Sequence, residues 1–271
     1  MCLVQTNWLE NNLDRVKIID CSWHMPQANR NGYEEYKKNH IPNSIFFDLD
    51  KNSKKETNLP HMLVSLKEWE KIVSEMGINN DDKIIIYDNS DVISACRCWY
   101  NFIYFGHKPE LVKVLNGGFN KWNKEHKPMN TMIPKIIKTK YVAKEIKDLA
   151  KDKKEIKENI IKKKFDVIDA RSIERFEGKV KEPRAGLRSG NIQNSICIPF
   201  DQLINTNKTF KTKKEINEIF YKNLKNINSD TVVFSCGSGV TACVLALAYS
   251  IINDKYLPKI YDGSWAEYGK I

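Results

Sequence analysis

The stretch with the densest chemistry is Ser235-Cys236-Gly237-Ser238-Gly239-Val240-Thr241-Ala242-Cys243. The apolar run at 231–234 reads as a strand, and the Ala/Leu-rich run from about Thr241 reads as a helix. A loop of six residues joins them and begins with Cys236. Such a loop can aim several backbone N–H groups, together with the positive end of the helix dipole, at the leading sulfur. Gly237 and Gly239 permit the backbone angles of that curl, and Ser238 and Thr241 add hydroxyl donors. Stabilised in this way, the Cys236 sulfur is expected to be a thiolate near neutral pH and to act as a nucleophile. In open α/β sheets ligands bind at the carboxyl ends of strands, which is where Cys236 falls. Cys243, inside the helix among apolar residues, is expected in the core. A phosphatase built on a similar loop needs an Arg six positions after its Cys to clamp the phosphoryl group. Here that position is Ala242 and the loop carries no cation, which argues against phosphate-monoester hydrolysis.

The elements that must hold this loop occur twice. Residues 16–20 (VKIID), 43–45 (NSI), 84–87 (IIIY), 94–96 (SAC) and 116–119 (NGGF) recur as 165–169 (FDVID), 194–196 (NSI), 231–234 (TVVF), 241–243 (TAC) and 262–265 (DGSW), at an offset close to 150 residues. An ordered match at a nearly constant offset predicts two copies of one domain. The short, continuously apolar runs suit parallel strands covered on both faces, and helical patterns separate them. Ser65-Leu66-Lys67-Glu68 spells a capping box with Gly77 as the stop, and Ile216, Ile219, Phe220 and Leu224 form a one-sided stripe. The predicted fold is α/β: two tandem domains, each a mainly parallel sheet flanked by helices. The expected boundaries are 1–124 for the first domain, 125–140 for a linker and 141–271 for the second, with 141–164 opening the latter as a Lys-rich surface helix.

Composition sets the outer limits. With 271 residues, 41% of them hydrophobic, the chain can bury two cores, and disorder is excluded for most of it. The longest apolar run, 244–252, falls far short of the ~20 residues that a membrane span needs. The seven Cys form no CxxC pair, so neither a disulfide framework nor a zinc site is expected, and a reducing, cytoplasmic setting fits. No targeting segment is visible at the N-terminus. The net charge of +10 comes mainly from Lys in solvated runs, with only seven Arg, which does not favour direct nucleic-acid binding.

In these residues the sequence resembles the 3-mercaptopyruvate sulfurtransferases, a family of tandem rhodanese-domain enzymes. The resemblance rests on Cys236-Gly-Ser-Gly-Val-Thr241, on 22–26 (SWHMP), 40–42 (HIP), 46–50 (FFDLD), 105–107 (FGH) and 117–122 (GGFNKW), and on 169–171 (DAR), 182–184 (EPR) and 261–265 (YDGSW). It spans nearly the whole chain. It implies that only the C-terminal domain is catalytic, since the first copy has Asp88-Asn89-Ser90 at the equivalent loop. It further implies that Cys236 takes up sulfur as a persulfide, with the 237–241 loop (Gly237, Gly239, Val240 and Thr241 included) lining the substrate. Arg175 and Arg184 would hold the carboxylate and keto oxygen of the substrate, a task that suits planar guanidinium forks. Ser238, His61 and Asp50 would form a hydroxyl–imidazole–carboxylate relay. His61 and Asp50 lie in the first repeat, so both halves of the chain would contribute to the site.

The implied reaction moves sulfur from 3-mercaptopyruvate to Cys236, releases pyruvate, and passes the sulfur to thioredoxin, glutathione, another small thiol or cyanide. No cofactor or metal is implied. Relatives that prefer thiosulfate carry Arg or Lys directly after the Cys, whereas Gly237 and Ser238 are neutral, which favours mercaptopyruvate. Thiosulfate as donor, and relay to a dedicated protein partner in tRNA or carrier-protein thiolation, are the alternatives. Gly190-Asn191-Ile192-Gln193 departs from the family's usual Gly-His-Ile-Pro beside the substrate arginines.

Overall fold

Short strands of two to four residues alternating with helices give the expected architecture in both halves. The computed structural model describes residues 2–224 and 231–271. The chain forms two compact units, one of Met1–Lys54, Leu63–Ile146 and Thr206–Thr209, the other of Lys55–Met62, Lys147–Asn205 and Phe210–Ile271.

Among the described residues the first unit has a five-stranded, all-parallel sheet. Its strands are β1 (Leu3–Val4), β2 (Lys17–Asp20), β3 (Ser44–Phe46), β4 (Ile84–Tyr87) and β5 (Val112–Leu115), in the order β1-β5-β4-β2-β3. The second unit repeats the pattern with β6 (Ala150–Lys151), β7 (Asp166–Asp169), β8 (Ile196–Cys197), β9 (Val232–Ser235) and β10 (Ile260–Tyr261), in the order β6-β10-β9-β7-β8. The register is shared as well: Asp20 lies opposite Tyr87 in one sheet and Asp169 opposite Ser235 in the other. Each sheet therefore brings a carboxylate to the strand end from which a loop departs.

The helices are α1 (Thr6–Glu10), α2 (Gly32–Lys38), α3 (Leu66–Glu75), α4 (Ala95–Tyr104) and α5 (Gly118–Lys124) in the first unit. In the second they are α6 (Lys153–Lys162), α7 (Ile173–Phe176), α8 (Lys213–Asn223), α9 (Ala242–Ile252) and α10 (Ser264–Tyr268). Reciprocal capping boxes start α3 (Ser65 with Glu68), α6 (Asp152 with Glu155) and α8 (Thr212 with Glu215). Gly77 ends α3 at φ +67°, where an added Cβ would stand 2.6 Å from the Ile137 carbonyl oxygen. On α8, Ile216 and Phe220 are buried and Ile219 half-buried. α4 and most of α9 are buried on every side; α9 is accordingly apolar almost all round, whereas α4 also buries Arg97 and Asn101.

Ile18, Ile41, Ile85, Tyr87 and Trp122 centre the first core; Ile156, Val167, Val233, Tyr261 and Trp265 centre the second. Each such side chain stabilises its unit by roughly 1.5–3 kcal/mol. No helix among the described residues is long and apolar enough to cross a membrane.

The expected surface helix over 141–164 is replaced by three separate pieces. Residues up to Ile146 belong to the first unit, a 3-10 turn at Lys147–Leu149 leads into β6 of the second sheet, and only Lys153–Lys162 is α-helical. The reason is Tyr141: it is buried, its ring stacks on His107 at 5.9 Å, and its hydroxyl lies 3.1 Å from His107 Nδ1. Backbone bonds from Lys144 and Ile146 to the carbonyls of Phe105 and Tyr104 continue that docking.

Candidate active site

Cys236 directly follows β9, and α9 begins at Ala242 with Thr241 as its N-cap residue. The loop between them is pinned from outside by the first turn of α10. The carbonyls of Cys236 and Gly237 accept from the amides of Trp265 and Ala266, both at 2.9 Å. The Cys236 amide donates to Ser264 Oγ at 3.2 Å, and that hydroxyl donates to the Tyr261 carbonyl at 2.8 Å. Both carbonyls are thereby fixed on the α10 side of the loop. Gly239 takes φ +77°, its carbonyl accepting from the Cys243 thiol at 3.1 Å. Cys236, Val240 and Cys243 are buried, and Thr241 is half-buried.

Two guanidinium groups stand over this loop. A Cβ on Gly237 would lie 3.3 Å from Arg175 Nη2 and 3.6 Å from Arg184 Nη1. Any side chain there would press on both arginines, so glycine sets the width of the site. Arg184 Nη2 donates to Ser238 Oγ at 3.4 Å, and His61 Nδ1 lies 3.0 Å from the same oxygen. A guanidinium can only donate, so the Ser238 proton suits the bond to His61 Nδ1. His61 is buried at φ +60°, a conformation uncommon for a residue with a Cβ and one that clusters at functional sites.

His61 lies in the first repeat, yet its segment, Lys55–Met62, folds with the second unit. The bond to Ser238 joins residues 177 positions apart, a pairing that the family resemblance implies and that spacing alone does not. Asp50 lies in the first unit, where its Oδ2 accepts from Trp23 Nε1 at 2.9 Å beside a cavity also lined by Tyr33 and Asp48.

Behind Arg175 runs an ion-pair chain to which sequence reasoning gave no role. Asp169, at the end of β7, binds Arg171 through Nε (3.0 Å) and Nη2 (2.7 Å). Arg171 Nη1 donates to Glu182 Oε1 at 2.9 Å, and Arg175 binds Glu182 through Nε (3.2 Å) and Nη2 (2.6 Å). Arg171 also stacks on Trp265 at 4.4 Å and donates to the Gly190 carbonyl at 2.8 Å, which ties down the atypical 190–193 turn. Burial alone would pull Arg171 down, but Asp169 and Glu182 outweigh it and hold its pKa above the ordinary value. The one available signal was the scarcity of Arg: three of the seven converge here. Chemically, the arrangement offers a sulfur, a hydroxyl–imidazole pair and two planar cations suited to a small carboxylate-bearing donor.

In the first unit the residue after β4 is Asp88. Its Oδ2 accepts from Ser90 Oγ at 2.8 Å and from the Ala95 amide at 3.3 Å, and lies 3.1 Å from Ser94 Oγ. Where Arg171 stands in the second unit, the first has Ser22, which donates to Asp20 Oδ1 from its amide (2.9 Å) and hydroxyl (2.5 Å).

The Rhodanese-like domain family matches residues 5–125 and again 152–270. The chain is 36% identical to Thiosulfate/3-mercaptopyruvate sulfurtransferase 1, mitochondrial, of Arabidopsis thaliana, over 98% of this chain and 75% of that one. It is 32% identical to 3-mercaptopyruvate sulfurtransferase of Rattus norvegicus, over 98% of this chain and 91% of the relative. The crystal structure of a 3-mercaptopyruvate sulfotransferase from Escherichia coli superposes with a TM-score of 0.87 at 30% identity, covering 98% of this chain and all (100%) of that one. Two matches to one domain, the same strand order twice and full-length relatives lead to one conclusion: the chain belongs to the rhodanese family and carries its domain in tandem.

Proposed function

We propose that the protein is a 3-mercaptopyruvate sulfurtransferase working through a persulfide on Cys236. The observation that carries this reading is the pair of guanidinium groups, Arg175 and Arg184, 3.3 and 3.6 Å from the Cβ position of Gly237, the residue after the cysteine. A 2-keto acid presents a planar carboxylate and an adjacent keto oxygen, which such forks bind with fixed geometry. The name of the Rattus norvegicus relative gives the same donor, and that of the Arabidopsis thaliana relative gives thiosulfate beside it.

In the proposed reaction the Cys236 sulfur attacks the sulfur of the donor. The carbon–sulfur bond breaks, its electron pair stays on carbon as the enolate of pyruvate, and the outer sulfur remains on Cys236. Ser238, backed by His61, protonates the enolate directly or through water. Gly237 and Gly239 shape the loop, while Val240 and Thr241 close its wall against the substrate. A thiol acceptor, such as thioredoxin or glutathione, or cyanide then removes the outer sulfur and restores the cysteine.

The test compares kcat/KM for mercaptopyruvate and thiosulfate with one acceptor, following pyruvate and sulfide for the first donor and acceptor consumption for both. Mercaptopyruvate is expected to lead; a lead for thiosulfate would overturn the donor assignment. Cys236→Ser should lose both turnover and the added sulfur seen by intact mass, and surviving turnover would refute the nucleophile.

A further inference from the structure

Glu182 touches neither the cysteine loop nor the hydroxyl–imidazole pair, yet its side chain is 1% exposed and meets two arginines. Its Oε1 accepts from Arg171 Nη1 (2.9 Å) and Arg175 Nε (3.2 Å), and its Oε2 accepts from Arg175 Nη2 at 2.6 Å. The side-on pair with Arg175 engages Nε–H and one Nη2 proton. The end-on edge of the guanidinium remains available to a second planar anion. We infer that Glu182 is a positioning residue for the donor: it fixes the plane of the Arg175 guanidinium, so that the end-on edge meets the donor's carboxylate beside Gly237.

Rigidity reaches Glu182 from the sheet. Asp169 ends β7 and grips Arg171 through two nitrogens, and Arg171 stacks on Trp265, whose amide bonds the Cys236 carbonyl at 2.9 Å. The sulfur loop and the arginine plane are thus referred to the same two residues, Arg171 and Trp265. Charge follows the same logic. Asp169, Arg171, Glu182 and Arg175 alternate in sign and sum to zero, so the buried chain carries no net charge, while Arg175, 22% exposed, faces the ligand. A long side chain on the four-residue helix α7 would otherwise sample many rotamers, and fixing it beforehand is how a site gains donor affinity without a new contact.

This inference rests on the proposed role of Arg175 as a donor-binding residue, and the experiment separates the two. The variants are Glu182→Gln, which keeps the size but turns an N–H₂ toward an arginine, Glu182→Asp, which keeps the charge on a shorter arm, and Arg175→Met. Persulfide formation from mercaptopyruvate is timed in single turnovers. Enzyme loaded to completion with excess donor and desalted is then discharged with cyanide.

Glu182→Gln is expected to lower the donor half-reaction about 10- to 100-fold, through weaker donor saturation, while cyanide discharge stays within about twofold of wild type. Glu182→Asp should recover part of that loss, and Glu182→Gln added to Arg175→Met should cost little more. Unchanged loading in Glu182→Gln, or loading and discharge falling together, would overturn the inference while leaving Arg175 in place. Unchanged loading in Arg175→Met would remove the Arg175 assignment itself, and the inference with it.

Discussion

The loop after β4 and the loop after β9 are the same piece of scaffold with different occupants. In both, a helix N-terminus reaches back to the first loop residue: Phe119 donates to the Asp88 carbonyl at 2.8 Å, and Trp265 donates to that of Cys236 at 2.9 Å. In both, the residue before the donor lies in the left-handed region, Gly118 at φ +53° and Ser264 at φ +48°. The first loop then puts its own carboxylate among hydroxyls and the Ala95 amide, whereas the second offers a sulfur under two guanidinium groups. Below the loops, Asp20 has Ser22 and Asp169 has Arg171. The fold therefore supplies a polar cradle twice, and the chemistry depends on what sits in it and which cations face it.

The strongest way to break that comparison is to exchange the occupants. Cys236→Asp should lower sulfur transfer by about 10⁴-fold or more, since the sulfur beneath the Arg175 and Arg184 guanidinium groups is gone. Asp88→Cys in the Cys236→Ser background should restore nothing, because the described residues of that loop present no guanidinium pair to a donor. Intact mass after donor exposure checks both, and an added sulfur on the Asp88→Cys, Cys236→Ser double variant would show that the cradle alone suffices.

Next in size is the cation under the loop. Arg171→Met leaves the Asp169 and Glu182 carboxylates, each 1% exposed, without their shared partner. Removing one member of a buried pair costs about 3–5 kcal/mol, so the urea midpoint of the second unit should fall sharply. A midpoint close to wild type would mean that Ser22 and Arg171 are interchangeable supports.

The first unit answers with a pH dependence. Burial pushes Asp20 up to about 7 against the lowering effect of its Ser22 hydrogen bonds, and the neighbouring Asp88 charge raises it further. Burial raises Asp88 in the same direction. A raised carboxyl means that the folded state holds protons the unfolded state has released. The stability is complete below the ordinary value of 3.8 and is lost as pH climbs through about 7. The loss amounts to about 4 kcal/mol once Asp20 ionises. Hydrogen exchange in β2 and β4 should therefore speed up relative to the intrinsic rate between pH 5 and 8. Asp20→Asn should flatten that slope; an unchanged slope would assign it elsewhere.

How much of this was legible in the sequence follows from the distance over which each feature is encoded. The Cys236 loop, the strand before it and the helix after it are contiguous, so spacing and glycines sufficed to find them. The tandem repeat was legible because the two copies kept their order. The His61–Ser238 pair, 177 positions apart, was legible only through the family resemblance, and two further features were not legible at all. Glu182 carries no role that its Glu-Pro-Arg motif discloses, since only the folded chain brings it between Arg171 and Arg175. Tyr141 looked like the start of a Lys-rich helix because its stacking partner, His107, lies 34 residues earlier.

The smallest predicted effect sharpens the comparison most, because one position answers differently in the two copies. Ser264 is fully buried, and its hydroxyl serves the Cys236 amide and the Tyr261 carbonyl. Ser264→Ala loses both bonds and keeps the left-handed strain, a cost of about 2 kcal/mol. Ser264→Gly loses the same bonds but relieves about 1 kcal/mol of strain, so it should be the milder change. At Gly118 the order reverses. No side-chain bond exists to lose, but a Cβ would stand 2.4 Å from the Asp88 carbonyl oxygen, so Gly118→Ala must shift the loop. Chemical denaturation of the three variants tests this. If Ser264→Ala and Ser264→Gly proved equal, the strain would be absent, and the serine in the catalytic copy would be held by its two hydrogen bonds alone.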